Sequence, residues 1–336
     1  MNKGKFVISL DFELMWGVRD KLTKQQYGNN IIGVWDAIPK MLAAFEKHNI
    51  NATFSTVGFL FFNNKTNLLQ NIPTQIPNYI NTNLSPYHNY LETIGNTELE
   101  DKYHYATALI NEIKKHNNHE IGTHTFSHYY CLEEGQTVND FEADIIAAKN
   151  IATKQNINIT SLVFPRNQFN ESYLQVCKQL GIICYRGNEQ SWLYKAKNGN
   201  NESLFRRACR LMDAYINLSG HNCYDEKFLN KNLPINIPSS RFLRPYINKL
   251  KMLDTLRLKR IKSGMTYAAK NKLMYHLWWH PHNFGIHQTH NFLFLEKILL
   301  HYDKLNKQYG FESCTMSNLA NQILAKKYDN NNPTSH

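Results

Sequence analysis

His124 and His128 stand four residues apart in EIGTHTFSHYYC (residues 120–131), a run of Gly, Thr, Ser and aromatics with no apolar stripe for them to join. Residues i and i+4 share one face of a helical turn, so the spacing predicts two imidazoles that reach one metal ion. The plainer reading is a pair of ordinary core or surface histidines. A second polar pair lies in SLDFELMWG (residues 9–17). On a strand, Asp11 and Glu13 point to one side and Phe12 to the other. Carboxylates in a hydrophobic strand are costly unless a metal, an arginine or a proton compensates them; the alternative is a solvated strand end. Two histidines and one carboxylate leave open positions for water and substrate, the arrangement of a hydrolytic metal site. One divalent ion is therefore expected, Zn2+ first, with Co2+, Ni2+ or Mn2+ as alternatives.

HLWWHPHNFG (residues 276–285) adds His276, His280 and His282. Alternation places His276, Trp278 and His280 on one face, and Pro281 ends the strand. One of the three histidines is a candidate general acid, because imidazole titrates near neutrality; a plain surface or core histidine is the alternative, a better one for His276 than for His280 and His282. His282 and Trp279 are candidate substrate contacts. Trp16 suits a sugar-stacking wall, although an isolated Trp is more often core. Arg166 in FPRNQFN is placed to hold a carboxylate ionised and oriented, against the plainer reading of a surface ion pair. Arg186, closing IICYR, is assigned to substrate.

Seven apolar or β-branched runs must position these residues: 5–11, 51–57, 119–124, 161–166, 182–186, 273–279 and 310–315. Helix-period segments lie between most of them, at 39–48, 98–117, 138–154, 170–180, 292–308 and 316–327. Such alternation predicts parallel strands with helices outside. Asp11, Glu13, His124, Arg166, Arg186 and His280 all fall at or just past strand C-termini, the face on which α/β barrels build their sites. Stretches 62–97 and 204–262 break the rhythm and read as insertions over the barrel mouth. The expected organisation is one catalytic domain over residues 1–327, with a disordered tail at 328–336.

Composition narrows the class. Of 336 residues, 42% are hydrophobic and 19% charged, which describes a globular chain and excludes a disordered one. The longest apolar stretch, VGFLFF (residues 57–62), is too short to span a bilayer, and no signal-peptide core follows the N-terminus. A cytoplasmic protein is expected by default, and in its reducing compartment the six scattered cysteines, which lack a C-x-x-C pair, are expected as free thiols. A net charge of +11 favours anionic partners. In residues 241–262, eight basic residues face one acid at roughly helical spacing, and Arg257, Lys259, Arg260 and Lys262 are expected to attract an anionic carrier or the inner membrane surface. Nucleic acid ranks last among partners, for want of a recognisable module; the oligomeric state is open.

SLDFELMWG, ATFSTVGF, GTHTFSH, FPRNQ and WWHPHNFG, in that order, resemble the serial motifs of the polysaccharide deacetylase family, the NodB-homology fold of carbohydrate esterase family four. The closing CTMSNLANQ is similar to the end of such domains, so the resemblance runs from residue 5 to about 325. It implies a distorted (β/α)7 barrel with a divalent metal held by one carboxylate and two histidines. By motif, Asp11 resembles the catalytic base, Glu13, His124 and His128 the metal ligands, Arg166 the arginine that orients the base, and His280 the general acid. Glu13 stands where the family has Asp, which leaves an exchange of roles between Asp11 and Glu13 open. The Asp-Trp motif that supports the acid has no clear match; Trp192 and Asp213 are candidates. The implied reaction removes an N-acetyl group from a sugar, on a nucleotide- or lipid-linked precursor of surface polysaccharide. The alternatives are a metal-independent glycosidase using the two carboxylates and a degenerate barrel that binds glycan without turnover.

Overall fold

The computed structural model describes residues 3–194, 204–229 and 232–331. Strand β1 (Lys5–Phe12) is buried along its whole length, as a parallel strand covered on both faces must be. It pairs in parallel with β8 (Met274–Trp279) through Lys5–Leu10 on one edge. On the other edge, β9 (Glu312–Cys314) takes Lys5–Val7 and β2 (Ala52–Thr56) takes Ile8–Phe12. The sheet continues through β3 (Glu120–Thr123), β4 (Ser161–Leu162), β5 (Cys184–Tyr185) and β6 (Ile235–Asn236), and β7 (Arg241–Phe242) lies beyond β8. Every pairing between these strands is parallel, so their C-terminal ends open toward one mouth.

The seven runs expected as strands all contain one. The stretch 204–262 departs from expectation, because it carries β6 and β7 and closes the sheet. Ile235, Ile237 and Ser239 donate their N–H groups to the carbonyls of Ile183, Tyr185 and Gly187, while Ser240 and Leu243 donate to His276 and Trp278. One run, residues 235–243, is thus bonded to β5 at its start and to β8 at its end. The fold is a parallel, barrel-like α/β sheet with helices around it, and this segment belongs to the barrel wall.

The helices are α1 (Lys24–Ile32), α2 (Val34–Lys47), α3 (Lys65–Gln70), α4 (Thr107–Lys114), α5 (Val138–Lys154), α6 (Glu171–Gln179), α7 (Leu204–Asp213), α8 (Asp254–Asn271), α9 (Gln288–Tyr309) and α10 (Met316–Asn331). Helix α5 starts where its sequence dictates: Thr137 and Asp140 form a reciprocal capping box. The segment expected at 98–117 is helical only over α4. Helix α10 runs into the stretch expected to be a disordered tail, of which residues 332–336 lie outside the described residues. Among the described residues no helix is long and apolar enough to cross a membrane.

The basic segment 241–262 is a second correction. Arg241, Arg257 and Arg260 are buried, whereas Leu256 is exposed. Arg257 donates to the carbonyls of Arg244 and Pro245 and pairs with Asp254; Arg260 and Arg241 reach Asp213. These guanidiniums satisfy buried acceptors, so the cationic face drawn from spacing loses them.

Candidate active site

Two carboxylates sit at the mouth end of β1, both nearly inaccessible to solvent. Asp11 ends the strand's inward face, and Glu13 follows where the chain turns into a 3-10 turn, Leu14–Gly17. A Cβ on Gly17 would lie 1.9 Å from the Glu13 carboxyl carbon, so only glycine leaves the room this side chain occupies. The Glu13 carboxylate is two-sided. Its Oε2 lies 3.0 Å from His128 Nε2 and 3.2 Å from His124 Nε2; its Oε1 faces His280 and His282.

His124 follows β3 directly, and His128 arrives by a loop with Thr125 and His128 in the left-handed region, at φ 64° and 60°. The helical turn inferred from the spacing is absent, yet the two rings still converge, 5.0 Å apart at their centroids. Asp144 on α5 holds this loop: its carboxylate accepts from the Phe126 and Ser127 N–H groups and the Ser127 hydroxyl. Such non-glycine backbone strain persists only where surroundings over-determine it.

The donor set fits a divalent cation. His124 Nδ1 lies 2.7 Å from the Val163 carbonyl, which can only accept, so Nδ1 carries the proton and the Nε2 lone pair faces Glu13. Burial lowers the His128 pKa, although Glu13 pulls it up. Burial also raises Glu13, but His280 and the adjoining His124 and His128 rings bring it well below its ordinary value. The His124 lone pair aimed at a carboxylate oxygen repels it unless positive charge lies between them. Glu13, His124 and His128 form one trio able to hold an ion, and Glu13, His280 and His282 form another.

Asp11 is held differently. Arg186, 1% exposed, donates to both its oxygens at 2.6 and 2.7 Å. Burial pushes the Asp11 carboxyl up, and Arg186, His124 and His280 bring it below the ordinary value. Behind the pair, Arg186 also donates to Ser9 Oγ at 3.1 Å, which lies 2.8 Å from His276 Nε2. Burial and Arg186 press His276 down to about 3, so it is neutral and accepts from Ser9. Trp278 lies under the Arg186 guanidinium, 4.0 Å from ring centre to Cζ. Ser9 shares Asp11's face by the same alternation that paired Asp11 with Glu13, so that signal was available in the sequence.

His280 Nε2 is 3.7 Å from both Asp11 Oδ2 and Glu13 Oε1, beyond hydrogen-bond range and so uncommitted. Several expected contacts fall elsewhere. Arg166 pairs with Asp20 and Glu133, not with Asp11, and lies over Tyr130; its backbone is in the left-handed region, at φ 54°. Trp16 is fully buried, its N–H on the His104 carbonyl and its ring against Phe59, so it presents no face to a sugar. Trp279 is equally buried, between Phe45 and Phe284. Arg186, assigned to substrate, instead clamps Asp11. His282 is buried beside Glu13. Asp213 is locked to Arg241 and Arg260 and does not support His280; the Trp192 side chain lies outside the described residues.

Residues 32–185 match the family model described as polysaccharide deacetylase. The chain carries a polysaccharide deacetylase domain. It is accordingly a hydrolase of the carbohydrate-deacetylating kind. A solved structure from Mycobacterium smegmatis, described as a polysaccharide deacetylase, is similar in fold: TM-score 0.61 at 11% identity, over 97% of this chain and 92% of that one. A 4-alpha-glucanotransferase from Thermococcus litoralis aligns with TM-score 0.50 at 12% identity, over 96% of this chain and 41% of its own. A family four carbohydrate esterase pseudoenzyme from Bacillus anthracis aligns with TM-score 0.43 at 12% identity, over 95% of this chain and 66% of its own. No curated protein sequence matches the polysaccharide deacetylase domain or the rest of the chain.

Proposed function

We propose that the protein hydrolyses the N-acetyl group of a sugar with one divalent ion, Zn2+ first, held by Glu13, His124 and His128. The observation that carries this reading is the seating of two buried carboxylates side by side. Asp11 is bidentate on Arg186, Glu13 lies among imidazoles, and His280 Nε2 is 3.7 Å from both. The ion supplies Lewis acidity to the amide carbonyl and lowers the pKa of the attacking water. Asp11 accepts that water's proton as its oxygen bonds to the carbonyl carbon, while Arg186 fixes the carboxylate's orientation. His280 delivers a proton to the nitrogen as the C–N bond breaks, releasing acetate and a free amine. The clamp on Asp11 and the imidazoles around Glu13 favour base and ligand in that order over the exchanged roles.

The substrate proposed is a nucleotide- or lipid-linked N-acetylated precursor of surface polysaccharide, handled in the cytoplasm or at the membrane's inner face. The net charge of +11 supports an anionic carrier. So does a cavity of about 320 Å³ lined by Arg19, Lys21 and His88. Asp20 in its wall pairs with Arg166, which lies over Tyr130, whose hydroxyl meets His128. A screen of N-acetylated nucleotide sugars and lipid-linked intermediates, with the metal varied, tests the reading. Metal-dependent acetate release from one of them is expected; release from none, with sugar binding intact, would mean a non-hydrolytic barrel.

A further inference from the structure

The proposed reaction uses one side of Glu13 as a ligand and leaves the other facing two more imidazoles. Oε1 lies 3.7 Å from His280 Nε2 and 3.8 Å from His282 Nδ1. The turn over Pro281–Phe284 stacks these two rings, 4.8 Å apart and 16° from parallel, so that both present a nitrogen to the same oxygen. In a tetrahedral site with bonds near 2.0–2.1 Å, neighbouring ligand atoms are about 3.3 Å apart. The His124 side is slightly tighter than that and the His280 side slightly wider. Each closes on an ion through shifts of about half an ångström.

We infer that the protein has a second divalent-cation position, made by Glu13 Oε1, His280 Nε2 and His282 Nδ1, with Glu13 bridging the two. This rests on the proposal that Glu13, His124 and His128 hold the first ion. Ions sharing one carboxylate lie about 3.5–4 Å apart. The second position is the weaker of the two, because the first ion and the Arg186 guanidinium raise the local positive charge. It is also the exchangeable one: His280 is 23% exposed, whereas Glu13, His124, His128 and His282 are nearly closed off. An ion there occupies the His280 nitrogen that delivers the proton. Excess metal therefore stops turnover of an enzyme that needs its first equivalent.

The test is titration of the metal-stripped, full-length protein with Co2+, read by calorimetry and by visible absorption. Two equivalents per chain are expected, the second at least ten-fold weaker, with acetate release rising over the first and falling over the second. His282→Ala should bind one equivalent; should it fail to fold by circular dichroism, His280→Ala, at the more exposed position, gives the same count. A single equivalent lost in His124→Ala but kept in His282→Ala overturns the second position and leaves the proposed function standing. A single equivalent lost in His282→Ala but kept in His124→Ala shows that the first position was misassigned. Two equivalents in the parent and in both the His282 and His280 variants would put the second ion elsewhere and overturn the inference.

Discussion

Asp11 and Asp213 are both buried aspartates facing arginines, yet only one is equipped for chemistry. Asp213 receives six donors: Leu218 N–H, Ser219 N–H, the Ser219 and Tyr194 hydroxyls, Arg241 and Arg260. Every lone pair is used, and the carboxylate ties α7 to β7 and α8. Asp11 receives the two arms of Arg186, and its Oδ2 faces His280 across 3.7 Å. A saturated ion-pair network is structural; one left half open at the strand mouth, beside imidazoles, keeps capacity for a proton. Burial with an arginine therefore does not by itself mark a catalytic carboxylate.

Exchanging carboxylate for amide at the two positions should separate them. Asp11→Asn should retain the metal and lose about 10²–10⁴-fold in kcat, the usual worth of a general base. Metal loss in Asp11→Asn with metal retained in Glu13→Gln would reverse the two roles. Arg186→Met should cost roughly 10²-fold in kcat, since misplacing a reacting group by about 1 Å has that effect; acetate release near the parental rate would mean that the clamp is structural only. Asp213→Asn should leave acetate release per folded molecule unchanged but lower stability, because breaking a buried pair costs about 3–5 kcal/mol. Denaturant melts read that difference.

Acid sharpens the same contrast. Burial raises the Asp213 carboxyl, but Arg241, Ser219 and Tyr194 bring it down to about 2 from 3.8. Its stabilisation is present above the unfolded value and is lost as pH falls from near 4 through 2. This is worth on the order of 2 kcal/mol. Melts of the parent between pH 4 and pH 2 should show that loss, and Asp213→Asn should flatten it. The smallest effect is expected at Arg166, which pairs with Asp20 and Glu133 outside the carboxylate cluster. Arg166→Ala should change kcat by less than about three-fold, as for other partly exposed ion pairs; a loss matching Arg186→Met would restore it as the orienting arginine.

The choice between these two arginines shows where the sequence stops being readable. The long strands β1 and β8 alternate over enough residues to fix which side chains share a face, so Asp11 with Ser9, and His276 with Trp278 and His280, were legible. Parity alone also turns Trp279 away from them. Strands β4 and β5 are two residues each, too short for alternation to say whether Arg166 or Arg186 turns inward. Strands β6 and β7 form because residues 235–243 lie between two unfilled edges, a long-range cause with no local pattern. Helix α8 buries Arg257 and Arg260 for the same kind of reason. Their acceptors, Pro245 carbonyl and Asp213, come from other parts of the chain, whereas hydrophobic periodicity counts only apolar residues.

The central claim is that Glu13, His124 and His128 hold an ion on which amide hydrolysis depends, with Asp11 and His280 as proton carriers. Acetate release from the substrate found by the screen, measured on one preparation before chelation, after chelation, and after return of a single equivalent of Zn2+ or Co2+, tests it most directly. Release should vanish on chelation and return with one equivalent in the parent, but not in a folded His124→Ala/His128→Ala double variant. Equal release with and without chelator would contradict the account and point to chemistry by the two carboxylates alone.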